Sequence, residues 1–170
     1  MLISFVLTVI ADDKPGIVEQ VASVIREHQG NWLESRMATM AGKFAGILRI
    51  EVAEDNSDNL IAALTALTEQ GIEVRTERGT AEQTATVHLT LSVIGNDRPG
   101  IVQEVTSVLA QHQVNVQELI TGCFAAEMSA TPTFRAEAEL EVPEDFDQDG
   151  LADDLESLSD ELMVEIRKAI

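Results

Sequence analysis

Basic residues are scarce in this sequence of 170 residues. Eleven lysines and arginines stand against thirty aspartates and glutamates, which gives a formal net charge of −19. Such a surface repels nucleic acids and anionic membranes, because both are bound through clustered basic side chains. We therefore expect no direct contact with DNA or RNA and no membrane partner.

Cysteine is also nearly absent. The single residue, Cys123, excludes an intramolecular disulfide and any metal or redox motif built from paired cysteines. No apolar run is long enough to span a bilayer, and the first residues lack the order of a secretion signal. These absences predict a cytoplasmic protein, in which we expect Cys123 to be a small buried residue of a strand.

An internal repeat dominates what the sequence does contain. Residues 7–34 match residues 91–118 without a gap at 15 of 28 positions, a period of 84 residues. This period is too long for a solenoid repeat and suits a small domain. We predict two homologous domains, residues 1–80 and 84–170, joined by a polar linker near residues 79–83.

The same order of elements is predicted in each copy. A strand with alternating apolar residues is followed by a helix with one apolar stripe, which ends near His28 or His112. A hairpin, a second helix and a short last strand follow. This βαββαβ order predicts an α+β, ferredoxin-like fold with two helices on one face of a four-stranded antiparallel sheet. The second helices are expected to bury Leu60, Ala63, Leu64 and Leu67, and Leu151, Leu155, Leu158 and Leu162.

Such a fold leaves the other face of each sheet uncovered. Exposed apolar side chains on that face favour a packed partner, either the other repeat or a second chain, so a homo-oligomer is among the expected assemblies. In the first copy, the apolar residues expected on or near this face are Val6, Ile10, Trp32 and Ile47.

A repeated motif connects the first strand to the first helix, DDKPGIV in one copy and NDRPGIV in the other. We expect Asp13 or Asp97 to cap the helix, proline to fix its first turn, and glycine to let a ligand approach the freed N–H groups. A helix N-terminus attracts a carboxylate, and nearby side-chain oxygens can accept hydrogen bonds from an ammonium group. A free amino acid carries both groups. The oxygens in question belong to Asp12, Asn96, Asn31 and Asn115.

Two copies of strand, D-[KR]-P-G-[IL]-V, helix and then asparagine resemble tandem ACT domains, the small-molecule-sensing modules of amino-acid metabolism. The likeness covers about residues 2–168, and NDRPGIV in the second copy is similar to the glycine cleavage system transcriptional repressor family. The resemblance implies a repressor that responds to glycine and acts through a DNA-binding regulator protein. It also implies ligand-binding residues in both copies: Asp12, Asp13, Pro15, Gly16, Ile17 and Asn31, with Asn96, Asp97, Pro99, Gly100, Ile101 and Asn115.

Alternatives to this interpretation stay open at the sequence level. Each Pro-Gly loop is also explained as a turn that needs these residues for backbone reasons alone. The small amino acid could instead control a partner enzyme of amino-acid metabolism. No nucleophile–base pair is apparent, so we expect neither an enzyme nor a cofactor. Because Asp12 stands where the second copy has Asn96, the two loops need not hold the same ligand.

One acidic stretch, Asp145 to Glu156, matches the EF-hand loop pattern. The segment before it reads as a strand where an EF-hand needs a helix, and the first copy lacks the pattern. We therefore favour an acidic helix start and predict no metal site. His28 and His112 are expected to be packing residues in the last turn of their helices.

Overall fold

The computed structural model describes residues 1–80, 86–125 and 131–169. The chain divides into two compact units, Met1–Glu82 (unit 1) and Gln83–Ile170 (unit 2). Each unit contains a four-stranded antiparallel sheet and two helices in the order βαββαβ, which confirms the predicted fold class. The linker predicted near residues 79–83 lies largely outside the described residues, and the proposed domain bounds stay a prediction.

Unit 1 has the sheet order β2-β3-β1-β4, so its first strand is central. All three strand pairings are antiparallel. A short 3-10 helix, Leu67–Gln70, follows the second helix. The elements are β1 (Leu2–Asp12), α1 (Ile17–Glu27), β2 (Asn31–Met40), β3 (Lys43–Ala53), α2 (Glu54–Ala66) and β4 (Ile72–Arg78).

Unit 2 repeats this topology with the order β6-β7-β5-β8. Its elements are β5 (Val87–Asn96), α3 (Ile101–Gln111), β6 (Asn115–Phe124), β7 (Thr133–Val142), α4 (Gln148–Glu156) and β8 (Met163–Lys168). The central strand again carries the loop that leads into the first helix, so the two repeated motifs occupy equivalent places.

The core of each unit lies between the sheet and its helices. Phe5, Leu7 and Val9 alternate along β1 and are at most 4% exposed, as the period-two pattern predicts. They pack with the buried stripe of α1, which includes Val21 and Ile25. Full burial of a side chain of this size is worth about 1.5–3 kcal/mol. The fold therefore depends on the same alternation that makes the repeat visible in the sequence.

The prediction that Trp32 lies on or near the open face is wrong. Trp32 pairs with the fully buried Ile50 and packs against the core on the helix side. A bulge between Trp32 and Glu34 adds one residue to β2. Residues before the bulge therefore lie on the opposite side of the sheet from the one that strict alternation predicts. Ile10 and Ile47 do lie on the open face, where each is about half exposed.

The second helix of unit 2 is shorter than predicted. Leu151 and Leu155 are buried in α4 as expected, but the helix ends at Glu156. Leu158 and Leu162 follow in two successive turns, closed by Leu158 N–H to the Leu155 carbonyl at 3.2 Å and Leu162 N–H to the Ser159 carbonyl at 3.1 Å. The spacing of apolar residues did not reveal that the helix ends at Glu156, because the turns keep Leu158 and Leu162 against the core as a longer helix would.

The β2–β3 hairpin offers a direct test of local backbone chemistry. Ala41 and Gly42 form its two-residue loop with φ of 49° and 78°, both in the left-handed region. Asparagine adopts this conformation more readily than alanine. We expect Ala41→Asn to raise the free energy of unfolding by about 0.5–1 kcal/mol in urea denaturation. The control Ala38→Asn, at a regular strand position, should give no increase; an increase in both variants would contradict the assignment.

Candidate functional site

Glycine stands at the head of the first helix in both units. Gly16 has a φ of 92° and Gly100 a φ of 89°, and no side chain caps either helix. The left-handed conformation costs any other L residue about 1–2 kcal/mol, so glycine is required for the turn. The first-turn N–H groups of α1 and α3 consequently face the loop without a side-chain acceptor.

The prediction that Asp13 or Asp97 caps the helix is wrong. The Pro-Gly turn intervenes, and α1 begins only at Ile17, so neither aspartate reaches the first turn. Their backbones instead hold the loop to the neighbouring hairpin. Asp13 N–H donates to the Gly42 carbonyl at 3.0 Å, and Asp97 N–H donates to the Pro132 carbonyl at 2.8 Å. For the same reason Pro15 lies before the helix and not within its first turn.

The negative charge of Asp12, which Asn96 lacks, is compensated by a lysine on the neighbouring strand. Asp12 pairs in the sheet with Lys43, whose ammonium forms an ion pair with it and lowers the pKa of the carboxyl. Asn96 pairs with Thr133, so unit 2 has lost both charges of the pair. The side-chain amide of Asn96 donates to Glu161 Oε2 at 2.7 Å. The strand pair itself is thus neutral in both units, but the polar partner differs: the Lys43 ammonium for Asp12 and the Glu161 carboxylate for Asn96.

A larger electrostatic difference lies one helical turn further on. Arg98 donates to both carboxylate oxygens of Glu104, at 2.7 and 2.5 Å, and the pair lowers the pKa of Glu104. A Cβ built on Gly100 would lie 3.9 Å from Glu104 Oε1, so this carboxylate stands beside the N-terminus of α3. In unit 1 the equivalent residue is Gln20, whose Nε2 lies 3.8 Å from a Cβ built on Gly16.

The charge at these two N-termini therefore differs. The Glu104 carboxylate, paired with Arg98, stands beside the α3 N-terminus. The acidic residue in the first turn of α1 is Glu19, one position earlier. A neutral amide with hydrogen-bond donors faces the α1 N-terminus. The Lys14 ammonium, next to the same loop, donates to the Gln70 carbonyl at 3.1 Å. An ion pair of the protein therefore stands beside the α3 N-terminus, where α1 has the neutral side chain of Gln20.

Each asparagine of the predicted site lies far from its own loop. Asn31 pairs with Glu51, whereas Asp12 pairs with Lys43. These partners are eight positions apart on β3, or roughly 26 Å at the usual rise per residue. The structure therefore brings Asp12, Asp13, Pro15, Gly16 and Ile17 together and leaves Asn31 at the opposite end of the sheet.

Unit 2 shows the same division, with Asn96, Asp97, Pro99, Gly100 and Ile101 in the loop. Asn115 lies at the opposite end, where it pairs with Glu141 and its amide donates to Glu141 Oε2 at 3.0 Å. This bond, with further hydrogen bonds from Thr86 and Gln117, lowers the pKa of Glu141. Asn115 already has a role in the sheet.

Cys123 is exposed, so the prediction of a buried strand residue is wrong. It lies near the end of β6, an edge strand of the sheet. Partial desolvation, a hydrogen bond with Asp97 and the negative charge of that residue raise the pKa of its thiol. A raised pKa leaves less of the nucleophilic thiolate at neutral pH.

His28 and His112 both make packing contacts. His28 Nδ1 lies 2.9 Å from the Val24 carbonyl in the preceding turn. His112 Nε2 lies 2.7 Å from Asp154 Oδ2, and its ring meets Phe146 edge to face with a centroid separation of 6.3 Å. Both contacts hold the end of the first helix in place.

The EF-hand-like stretch forms a helix in place of a calcium loop. α4 begins at Gln148, and the Asp147 side chain accepts a hydrogen bond from Gly150 N–H at 3.0 Å as its N-cap. Asp149, Asp153 and Glu156 of the pattern therefore lie on a helix and not in the extended loop that an EF-hand uses. Across the part of the chain that the structure describes, no group of three or more histidine, cysteine, aspartate or glutamate residues is placed to hold a metal ion.

A sequence model of the ACT domain family matches residues 4–77 and 88–168, which are the two βαββαβ units. The chain belongs to the ACT domain family. The resemblance inferred from the repeated Pro-Gly motifs is thereby confirmed at the level of the family. Within the described residues, no helix is long and apolar enough to cross a membrane.

Relatives of this ACT protein include single and tandem domains. A UPF0237 protein of Methanococcus maripaludis is 32% identical over 75 residues, which span 42% of this chain and 83% of the relative. A crystal structure of an unknown protein from Galdieria sulphuraria has a TM-score of 0.88 and 26% identity, with both chains covered in full. That of a candidate glycine cleavage system transcriptional repressor has a TM-score of 0.72 and 19% identity over 99% of each chain, a likeness of fold.

The compensation between Asp12 and Lys43 is directly measurable. Because Lys43 lowers the pKa of Asp12, we expect Lys43→Thr to raise that pKa towards its ordinary value of about 4 in an NMR titration. Any stability that the pair supplies is present above pH ~4 and is lost as pH falls through the lowered pKa. As a control, Lys14→Thr should move the pKa of Asp12 less, since Lys14 contributes the smaller charge effect. An unchanged pKa in Lys43→Thr would contradict the ion pair.

Proposed function

We propose that this ACT protein is an amino-acid-sensing regulator, with glycine as the first ligand to test. It passes the signal to a DNA-binding transcription regulator by protein contact and represses in the manner of the glycine cleavage system repressor type. The observation that carries the proposal is the uncapped helix N-terminus behind Gly16, with Asp12 and Asp13 in the same loop. Donors for a carboxylate and acceptors for an ammonium group thus belong to the same loop and helix start.

Unit 1 is the better ligand site, because the Arg98–Glu104 ion pair stands beside the helix N-terminus of unit 2. The ligand carboxylate lies at the first-turn N–H groups of α1, near the side-chain amide of Gln20. Its ammonium group faces the Asp12 and Asp13 carboxylates, of which Asp12 is shared with Lys43. Glu104 and its partner Arg98 disfavour the same arrangement in unit 2.

Asn31 and Asn115 have no part in a ligand held by the loop of their own unit. A single amino acid reaches about 4 Å along a chain, against the roughly 26 Å between loop and asparagine. The proposed ligand residues of unit 1 are therefore Asp12, Asp13, Pro15, Gly16 and Ile17, with Gln20 added. Gln20 was missed in the sequence because it reads as an ordinary polar residue of the helix surface.

The indirect mode of regulation follows from charge. With −19 at neutral pH, the protein itself repels DNA, so a signal to the genome requires a basic partner. An acidic surface attracts a basic protein and speeds their association. Ligand binding regulates that association only if the complex and the free protein differ in ligand affinity.

A thermal-shift screen of the twenty amino acids tests ligand binding. A ligand at 100 times its dissociation constant stabilises the native state by about 2.7 kcal/mol, so glycine or another small amino acid should raise the unfolding temperature. We expect Gln20→Glu to need at least about ten times more ligand for the same rise in unfolding temperature, because it copies the carboxylate of unit 2. The matched control Glu104→Gln should keep the shift. No shift with any amino acid would contradict the proposal.

Affinity capture with the intact protein from a lysate of its own source separates the two modes of regulation. Recovery of a DNA-binding regulator, with a yield that depends on the amino acid, supports transcriptional control. Recovery of a biosynthetic enzyme in its place supports the alternative, a regulatory partner of amino-acid metabolism. Because capture does not require the ligand site to be identified, it stands apart from the thermal-shift result.

A further inference from the structure

The open face of the unit 1 sheet combines apolar side chains with regularly placed charges. Ile10 and Ile47 are 48% and 49% exposed on it, and Val6 is half-buried beside them. Side chains on this face point away from the helices, because they alternate with the buried residues of β1 and β3. An apolar centre bordered by arginines is the usual composition of a protein interface.

The strand register arranges these side chains in rows across the sheet. Two adjacent rows contain most of the charges, and at their ends the sign changes from one row to the next. In the strand order β2, β3, β1 and β4, the first row is Glu34, Arg49, Val6 and Glu77. In the same strand order, the second row is Arg36, Ile47, Thr8 and Arg75.

These two rows are complementary to themselves under a two-fold rotation. Consider an axis that lies in the interface, perpendicular to the strands and midway between the rows. Rotation about it places each strand over its own copy and exchanges the two rows. Glu34 then faces Arg36 of the partner subunit, and Glu77 faces Arg75 of the partner subunit. Symmetry doubles these contacts to four opposite-charge pairs, around a centre that contains Val6, Thr8, Ile47 and Arg49. Arg49 also pairs with Glu34 of its own subunit at 2.7 Å.

Unit 2 lacks this self-complementarity. Its equivalent central positions on β7 are Glu139 and Glu137, which pair with Thr90 and Ser92 of β5. The same rotation would place Arg167 against the copy of Glu165 in two opposite-charge contacts, but it would also place Glu139 against the copy of Glu137 in two like-charge contacts. Such contacts cost several kcal/mol at an interface. The charge pattern therefore selects the open face of unit 1.

The area of the face predicts a weak association. Four strands about 4.8 Å apart, over the length of β4, give roughly 19 by 24 Å, or about 450 Å² per copy. Burial of about 900 Å² in total lies at the low end, where transient complexes are found. Two sheets of this size pack face to face about 10 Å apart, at about −30° in the aligned class.

We propose that the open face of unit 1 is a docking surface for a second copy of this chain, in a two-fold dimer of micromolar stability. Edge charges set its register, and the apolar centre supplies its stability. The interface does not use the proposed ligand residues of the α1 N-terminus, so its test is independent of amino-acid binding.

Sedimentation velocity of the full chain across about 1–300 μM measures the dimer. We expect the wild-type protein to dimerise, and Arg75→Glu to raise the dissociation constant about tenfold or more, because the new glutamate faces Glu77 of the partner subunit. The double variant Arg75→Glu with Glu77→Arg exchanges the sign of every member of these pairs. It should restore the dimer.

Arg167→Glu is the matched control, because it is an exposed charge reversal on the equivalent edge strand β8. It should leave the dissociation constant unchanged, and circular dichroism should show native secondary structure for all variants. A wild-type monomer at 300 μM would overturn the proposal. A dimer that survives Arg75→Glu, is not restored in the double variant, or is broken by Arg167→Glu would also overturn it.

Discussion

The left-handed glycine between the central strand and the first helix is the constraint on which each unit depends. With φ near 90°, Gly16 and Gly100 turn the chain from the sheet onto its inner face, where Ile17 and Ile101 are buried as the helix begins. A residue with a Cβ would carry a cost of about 1–2 kcal/mol at this point. The same turn keeps Asp13 and Asp97 out of capping range, so no side chain caps either helix. The fold and the candidate ligand site thus have one structural origin.

The two copies use this turn in different electrostatic settings. Asp12 with Lys43 and Asn96 with Thr133 are alternative neutral strand pairs at equivalent positions. The larger difference lies in the first helical turn, where Gln20 of unit 1 corresponds to Glu104 of unit 2, and in the loop before it, where Lys14 corresponds to Arg98. The Arg98–Glu104 pair occupies the space beside the α3 N-terminus with groups of the protein itself. We infer that the duplication produced one unit suited to a ligand and one in which an internal ion pair takes the ligand's place.

The fold could be predicted from the sequence because it is encoded locally and written twice. Alternation in β1 and β5 and the apolar stripes of α1 and α3 identify the elements, and the repeat removes ambiguity about their order. The side of the sheet on which Trp32 lies and the residue at which α4 ends could not be predicted. A bulge and two turns decide them without changing the spacing of the apolar residues. The site was predictable only in part. Loop residues adjacent in sequence do come together, whereas Asn31 required the strand register and Gln20 required the direction of a side chain.

The central claim, that the α1 N-terminus binds the carboxylate of an amino acid, is tested most directly by NMR titration of the backbone amides. The account predicts that glycine, or the small amino acid found to bind, shifts the amide signals of Ile17, Val18 and Glu19 most strongly, since these N–H groups receive the ligand carboxylate. The signals of Ile101, Val102 and Gln103 should change little, because Glu104 stands beside them. Saturable shifts confined to α3, or to residues outside both loops, would contradict the account.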